Sequence, residues 1–391
     1  MISMIKRDIK KEFLQLLKEY PIVTILGPRQ AGKTTLAVKA LASYEYCNLE
    51  IPENREFALL DPKAFLAQFK KNVILDEIQR APLLLSYIQA IVDKNLINGQ
   101  FVLTGSHQLE LKQAVTQSLA GRTGILNLLP LSINELTNAK IKFDTFEEYA
   151  YRGFLPRIYD QDQRPSQAYS NYYQTYVERD VRQLINLKNA AVFEKFLKLI
   201  AGRVGQIIDY TSLGNDVGVN SKTIKEWLSI LEASFIVYKL EPYFENFGKR
   251  TIKSPKYYFT DVGLLCYLLG IENSSQITRD PLVGNIFENL IVIECLKNRF
   301  NQGKMPHLYF FRDSNHREID IIFQDGRDLI AIEIKSSSTF SKSLLKNIEL
   351  IKDTINFKYS YLVYSGSEKK LSDNVEVLNF KNIDKIFISS K

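Results

Sequence analysis

"LGPRQAGKTT", Leu26–Thr35, decides how this chain is read. It lies between the apolar run "IVTIL" and the helical stretch "LAVKALASY", so it joins a strand to a helix. Gly27, four intervening residues, then Gly32, Lys33 and Thr34 reproduce the spacing G-x-x-x-x-G-K-[ST] of a phosphate-binding loop. Glycines let the backbone curl until successive N–H groups face one point, and the following helix adds the positive end of its dipole. Gly27, Pro28, Arg29, Gln30, Ala31 and Gly32 would form that cradle, with Thr35 in the first helical turn. In such a loop Lys33 reaches the β- and γ-phosphates and the Thr34 hydroxyl ligates Mg²⁺.

A second stretch tests the first. In "NVILDEIQR" the buried-strand pattern Val73–Leu75 ends in two adjacent acids, Asp76 and Glu77. Phosphoryl transfer to water needs one acid to hold the metal and another group to orient the attacking water, so Asp76 is assigned to Mg²⁺ and Glu77 to the water. The plainer alternative is a strand followed by a solvated acidic turn. A third apolar run, "QFVLTGSHQ", ends in Thr104 and Ser106, which either contact the γ-phosphate or form a simple turn. Between Tyr20 and Ile133 short apolar runs alternate with helical stretches, the pattern of a parallel sheet with helices on both faces.

The chain has 391 residues, 45% hydrophobic and 24% charged, with a net charge of +7. That length accommodates two or three cores, and the modest basic excess permits contact with nucleic acid without requiring it. Cys47, Cys266 and Cys295 are far apart and odd in number, which points to reduced thiols in a cytoplasm. The start of the chain is charged throughout and reads as an amphipathic helix, and no apolar run is long enough to span a membrane. Three scattered histidines argue against a histidine-based metal or nucleophile site.

Past Ser132 the composition turns helical and aromatic, as in "FEEYAYRGFLPRIYD" and "QAYSNYYQTYVERDVRQLINL", where tyrosine at helical spacing is expected to pack a core. "YTSLGNDVG" then reads as a helix, "VN" as a turn and "SKTIKEWLSILEAS" as a second helix with Ser221 as its N-cap. Two strands, "FIVYKLEPY" and "KYYFTD", follow around a basic turn, completing the pattern of a winged helix. In a DNA reader the second helix would present Lys222 and Lys225 to the major groove while Lys249, Arg250 and Lys253 met phosphates. Such units also serve as protein-interaction modules. The last hundred residues form another α/β unit, in which "PLVGNIFENLIVIECLKNRF" reads as a strongly amphipathic helix before four strands. Asp320 lies in one strand, and Glu333 and Lys335 share a face of the next, with Glu288 on the preceding helix able to face the same place. Two carboxylates could there hold Mg²⁺ against a phosphodiester while the lysine oriented water, or the pair could be structural.

The order "LGPRQAGKTTL", "LDEIQ", "FVLTGSHQ", "LAGRTGILNLLPLSINEL", "RGFLPRIYD", "YVERDV", "FENLIVIE" and "EIDIIF…AIEIKSS" resembles a large prokaryotic family over nearly the whole chain. Its members are ATPases of the AAA superfamily joined to a C-terminal domain of unknown function. The resemblance implies ATP and Mg²⁺ as ligands, with Lys33, Thr34, Asp76 and Glu77 at the nucleotide site. No residue by itself selects adenine over guanine. Arg122 resembles the position from which AAA proteins offer an arginine finger to a neighbouring subunit, which would imply a homo-oligomeric ring; the alternative is a local ion pair. The C-terminal unit is similar to the PD-(D/E)xK nuclease fold, with Asp320, Glu333 and Lys335 at its acidic and basic positions and Glu288 at its helical acid.

The expected fold is therefore α/β: a P-loop, AAA-type parallel sheet over residues 1-135, a helical region over 136-205, a winged helix over 206-275 and a nuclease-like domain over 276-391. Two functions fit: an ATP hydrolase that remodels or cleaves DNA, or a slow ATPase switch that holds a protein partner and carries an inactive nuclease-like domain. A metabolic kinase fits poorly, because nothing marks an acceptor pocket.

Overall fold

Strand β1 (Ile22–Leu26) is buried at every position and runs parallel to a neighbour on each side, β4 (Phe101–Gly105) and β5 (Thr123–Asn127). With β2 (Glu45–Asn48) and β3 (Val73–Asp76) they form a parallel five-stranded sheet in the order β2-β3-β4-β1-β5. These relationships come from a computed structural model that describes residues 5–95, 97–105, 119–185, 187, 189–243, 254–352, 354–372 and 374–388. Burial on both faces explains the continuous aliphatic runs of β1, β3 and β4, since crossover helices cover a parallel sheet on both sides. The phosphate-binding loop leaves the carboxyl end of β1, and Asp76 closes β3 at the same edge, where ligands of open α/β sheets bind.

Helix α1 (Lys10–Glu19) lays Phe13 and Leu17 on a core shared with Val23, Ile25 and Leu126, and it keeps its lysines outward, as its charge pattern predicts. Helix α2 (Lys33–Ala40) follows the loop directly. The aromatic middle segment packs as expected, with Tyr149, Phe154, Tyr169 and Tyr176 fully buried. One stretch departs from the α-helical reading: Tyr173–Val181 is π-helical. The wider i→i+5 turn is rare and concentrates at functional sites.

The helix pair Tyr210–Val217 and Ser221–Ala233 forms where the sequence places it, but Asn220, not Ser221, is the N-cap. Its side chain accepts from Thr223 N at 2.9 Å, leaving Ser221 as the first helical residue. The antiparallel hairpin β6 (Val237–Pro242) and β7 (Lys256–Phe259) then joins the C-terminal strands. Through β6 it pairs with β8 (Leu308–Arg312), extending a sheet that continues through β9 (Glu318–Asp325), β10 (Asp328–Lys335), β11 (Tyr359–Tyr364) and β13 (Val375–Asn379) to β12 (Lys369–Ser372).

The helix Val283–Asn301, expected to be amphipathic, is instead buried on nearly every side. Its buried polar residues are tolerated because they find partners outside the helix: Asn289 bonds both ways with the Phe259 backbone, and Lys297 donates to Leu131 O at 2.7 Å. No described helix is long and apolar enough to cross a membrane.

Candidate active site

Gly27 abuts the Leu128 carbonyl so closely that no Cβ fits between them. Gly32, the N-cap of α2, takes φ 93°, a left-handed value that a side chain would strain. The loop is also braced from outside. Arg7, ahead of α1, donates to Ala31 O and Leu129 O, each at 2.6 Å, while Glu135 holds its Nε at 3.0 Å. Glu135 is itself fixed by a capping box with Ser132.

Inside this frame Lys33 is 5% exposed and donates to the carbonyls of Gly27 and Pro28, both at 2.9 Å. Burial pulls its pKa down to about 8, against the opposing pull of Glu77 and Asp76. An ammonium stored against two carbonyls, with no carboxylate paired to it among the described residues, is suited to a phosphate.

Asp76 is the hub of the polar side. Its carboxylate accepts from Thr34 Oγ1 at 2.9 Å and from Tyr46 OH at 3.0 Å, and Thr104 Oγ1, fully buried on the intervening strand, donates to it as well. Thr104 also accepts from Glu77 N at 3.3 Å. Glu77 has φ 57°, an uncommon backbone for a residue with a side chain, and the Gln79 amide donates to its carboxylate. The donor set, a hydroxyl beside a carboxylate with a second acid following, fits a hydrated Mg²⁺.

Lys33, Thr34, Asp76 and Glu77 thus converge on one cleft of about 710 Å³, together with Arg29, Gln30 and Thr35. Its opposite wall comes from the middle region: Pro156, Arg157 and Asp160 of the helix Pro156–Asp160, then Tyr176 and Arg179 of the π-helical segment. Both stretches, "GFLPRIYD" and "YVERDV", stand out in the sequence, but nothing in them signals chemistry, and nothing marks Arg7 or Tyr46.

Other expected residues lie elsewhere. Arg122 is not in the cleft lining; its guanidinium forms a two-pronged pair with Asp93, NH2 to Oδ2 at 2.9 Å, and NH1 donates to Ala120 O at 3.0 Å. Lys222 and Lys225 are exposed on the second helix of the pair, with the Lys225 ammonium 4.9 Å from the Tyr210 ring centre. Ser106, Lys249, Arg250 and Lys253 lie outside the described residues.

Family comparisons divide the chain in three. Residues 19–137 match the family described as "AAA domain", 143–275 a "Domain of unknown function (DUF8612)" and 283–383 a "Domain of unknown function (DUF4143)". An uncharacterized protein of Mycobacterium tuberculosis is 30% identical over 375 residues, 95% of this chain and 82% of its own. The chain belongs to the AAA-superfamily ATPases that carry this C-terminal domain. An uncharacterized relative of this ATPase from Haemophilus influenzae is 23% identical, covering 96% of this chain and 97% of its own. Among solved structures, a Walker-type ATPase of Pyrococcus abyssi aligns with a TM-score of 0.46 at 14% identity, over 68% of this chain and 96% of its own. AMPPCP-bound DnaA of Aquifex aeolicus aligns at 0.27 and 13%, over 57% and 86%.

At the far end of the ATPase, Asp320, Glu333 and Lys335 do come together. Lys335 Nζ spans the acids, 2.7 Å from Glu333 Oε1 and 3.4 Å from Asp320 Oδ2. Ile334 N donates to Asp320 at 2.7 Å and Asn347 to Glu333 Oε1 at 3.2 Å. Glu333 is 1% exposed, and burial next to Asp320 pushes its pKa up to about 8. Glu288 is bound into a neighbouring cluster by Lys256 at 3.1 Å and Tyr258 OH at 2.5 Å. Among the described residues no three His, Cys, Asp or Glu side chains are placed to hold a metal ion.

Proposed function

We propose that this AAA-type ATPase binds Mg²⁺-ATP in the cleft behind the phosphate-binding loop, hydrolyses it with water, and couples that cycle to DNA held by its C-terminal half. The observation that carries the reading is Lys33: a buried ammonium held, among the described residues, by two carbonyls of its own loop, next to Thr34 on Asp76. Thr34 and Asp76 would hold the metal, whose positive charge offsets the charge developing on the transferred phosphoryl group. Lys33 would leave its two carbonyls for the β- and γ-phosphates, and Glu77 would take the proton from the attacking water once Gln79 released its carboxylate. From the neighbouring strand β4, Thr104 fixes the Asp76 carboxylate and the Glu77 backbone N–H. The units proposed to share this cycle are 1-135, 136-205, 206-275 and 276-391, and the pairing of Arg122 with Asp93 supports a local role over a finger offered to a neighbour.

Exposed Lys222 and Lys225 and the net charge of +7 favour DNA as the partner. ATP turnover by the purified protein, with and without duplex and single-stranded DNA at two salt concentrations, tests it. Stimulation by DNA that fades with salt is the expected result, because phosphate contacts release counterions. Turnover indifferent to DNA would sink the coupling. It would favour a second reading, a switch that holds a protein partner. That reading is supported by the Lys335 ammonium already spanning Asp320 and Glu333, which suits a binding surface better than a cleaving one.

Lys33 gives a separate prediction. Its pKa of about 8 in the free cleft must rise when a polyanion replaces two carbonyls, so ATP binding near pH about 8.5 should take up a proton, while binding near pH about 6.5 should not. Calorimetric titration in two buffers of different ionisation enthalpy reads this directly; identical heats at the higher pH would remove Lys33 from the phosphates.

A further inference from the structure

One carboxylate beside the cleft holds two of the cleft's arginines. Asp180, at the end of the π-helical segment, accepts from Arg179 Nε at 2.8 Å through Oδ1 and pairs with Arg29 NH2 at 3.2 Å through Oδ2. Its side chain is 13% exposed, and that of Arg29, inside the phosphate-binding loop, is 20% exposed. Arg29 lies over the Tyr176 ring, 5.7 Å from its centre, and also reaches Glu50 at 3.4 Å. Tyr176 in turn donates to Ser234 O at 3.0 Å, the residue that ends the helix Ser221–Ala233.

We propose that Asp180 is a positioning residue of the ATPase: it stands in for a phosphate on Arg29 and Arg179 while the cleft is empty, and the incoming triphosphate displaces it. The proposal rests on the nucleotide reading above and adds a residue and a route to it. A triphosphate presents more negative charge and more acceptor oxygens than one carboxylate, and arginine binds such oxygens in pairs. Both guanidiniums already line the cleft, so exchanging Asp180 for phosphate needs side-chain rotation, not loop rebuilding. Once released, Asp180 no longer ties the π-helical segment to the loop. That segment carries Tyr176, and Tyr176 carries the end of the helix whose other end exposes Lys222 and Lys225. Nucleotide occupancy is thereby read at the helix pair through Arg29, Tyr176 and Ser234, a continuous path of contacts with a charge exchange at its origin.

The test is the affinity for a fluorescent ATP analogue, measured for wild type, Asp180→Asn, Asp180→Glu, Arg29→Ala and the double variant Arg29→Ala with Asp180→Asn. Asp180→Asn removes the competing charge at constant shape, so binding should tighten about fivefold or more, and Asp180→Glu should return it towards wild type. In the Arg29→Ala background the effect of Asp180→Asn should shrink to less than about half its size in logarithmic terms, because Asp180 acts through Arg29. Unchanged affinity in Asp180→Asn, or an equal effect in both backgrounds, overturns the proposal. If wild type itself fails to bind the analogue, the nucleotide reading falls first, a result distinct from wild-type binding with an inert Asp180.

Discussion

Glu77→Gln is expected to leave ATP binding within about a factor of two of wild type while lowering turnover by about 10²- to 10⁴-fold, the range a general base commands. The substitution keeps the shape of a side chain whose backbone holds an uncommon φ of 57° and whose amide N–H already bonds Thr104, so the strand end should not move. Asp76 keeps its three hydroxyl donors, Thr34, Tyr46 and Thr104, and with them the metal position. What disappears is the acceptor for a proton from water. Measuring affinity for a fluorescent analogue alongside single-turnover hydrolysis separates the two effects. Hydrolysis at the wild-type rate would take Glu77 out of the reaction and leave Asp76 or solvent to activate the water.

The half of the site that was legible in the sequence is the half built by local spacing. Gly27, Gly32, Lys33 and Thr34 are constrained within eight residues, and their meaning follows from backbone conformations that only such spacing produces. Asp76 and Glu77 were legible because a buried apolar strand ending in two acids is unusual without a charged ligand to explain it. The opposite wall was written in the chain too, as "GFLPRIYD" and "YVERDV", but nothing local tells an arginine that faces a phosphate from one that faces water. Arg7 and Tyr46 were invisible for the same reason: the first bonds Ala31 O and the second Asp76, partners fixed only by the fold.

The same limit explains the errors. Period-based reading made Val283–Asn301 amphipathic because Glu294, Lys297 and Arg299 look like a solvent face. In the fold Glu294 and Lys297 point into a seam between the parallel sheet's last loop and the C-terminal unit, while Arg299 bonds Met305 O and lies over the Phe323 ring. Hydrophobic patterning cannot see a buried polar group whose partner lies about 160 residues away. Nor could it see that β6 pairs with β8, which makes the hairpin part of the C-terminal sheet.

That seam carries the largest stability effect expected in the molecule. Lys297 and Glu294, each 1% exposed, pair at 2.7 Å; Glu294 Oε2 also accepts from Ile133 N at 2.9 Å, and Lys297 donates to Leu131 O while its ammonium lies 3.8 Å from the Phe154 ring centre. Lys297→Met preserves much of the volume but leaves a buried carboxylate without its cation, and should cost about 3–5 kcal/mol of unfolding free energy. Burial already raises the pKa of Glu294, with Lys297 pulling it back down, so the variant's carboxyl should titrate higher still. A carboxyl whose folded pKa exceeds its unfolded one contributes stability below the unfolded value and loses it as pH rises through the folded one. The penalty in Lys297→Met should therefore be smaller near pH about 5 than near pH about 8, and adding Glu294→Gln, which keeps an acceptor for Ile133 N, should recover part of it at the higher pH. Denaturant melts of wild type and the two variants at both values decide the matter. A penalty that is the same at both pH values, or no rescue by Glu294→Gln, would mean that Lys297 contributes packing against Phe154 and not charge.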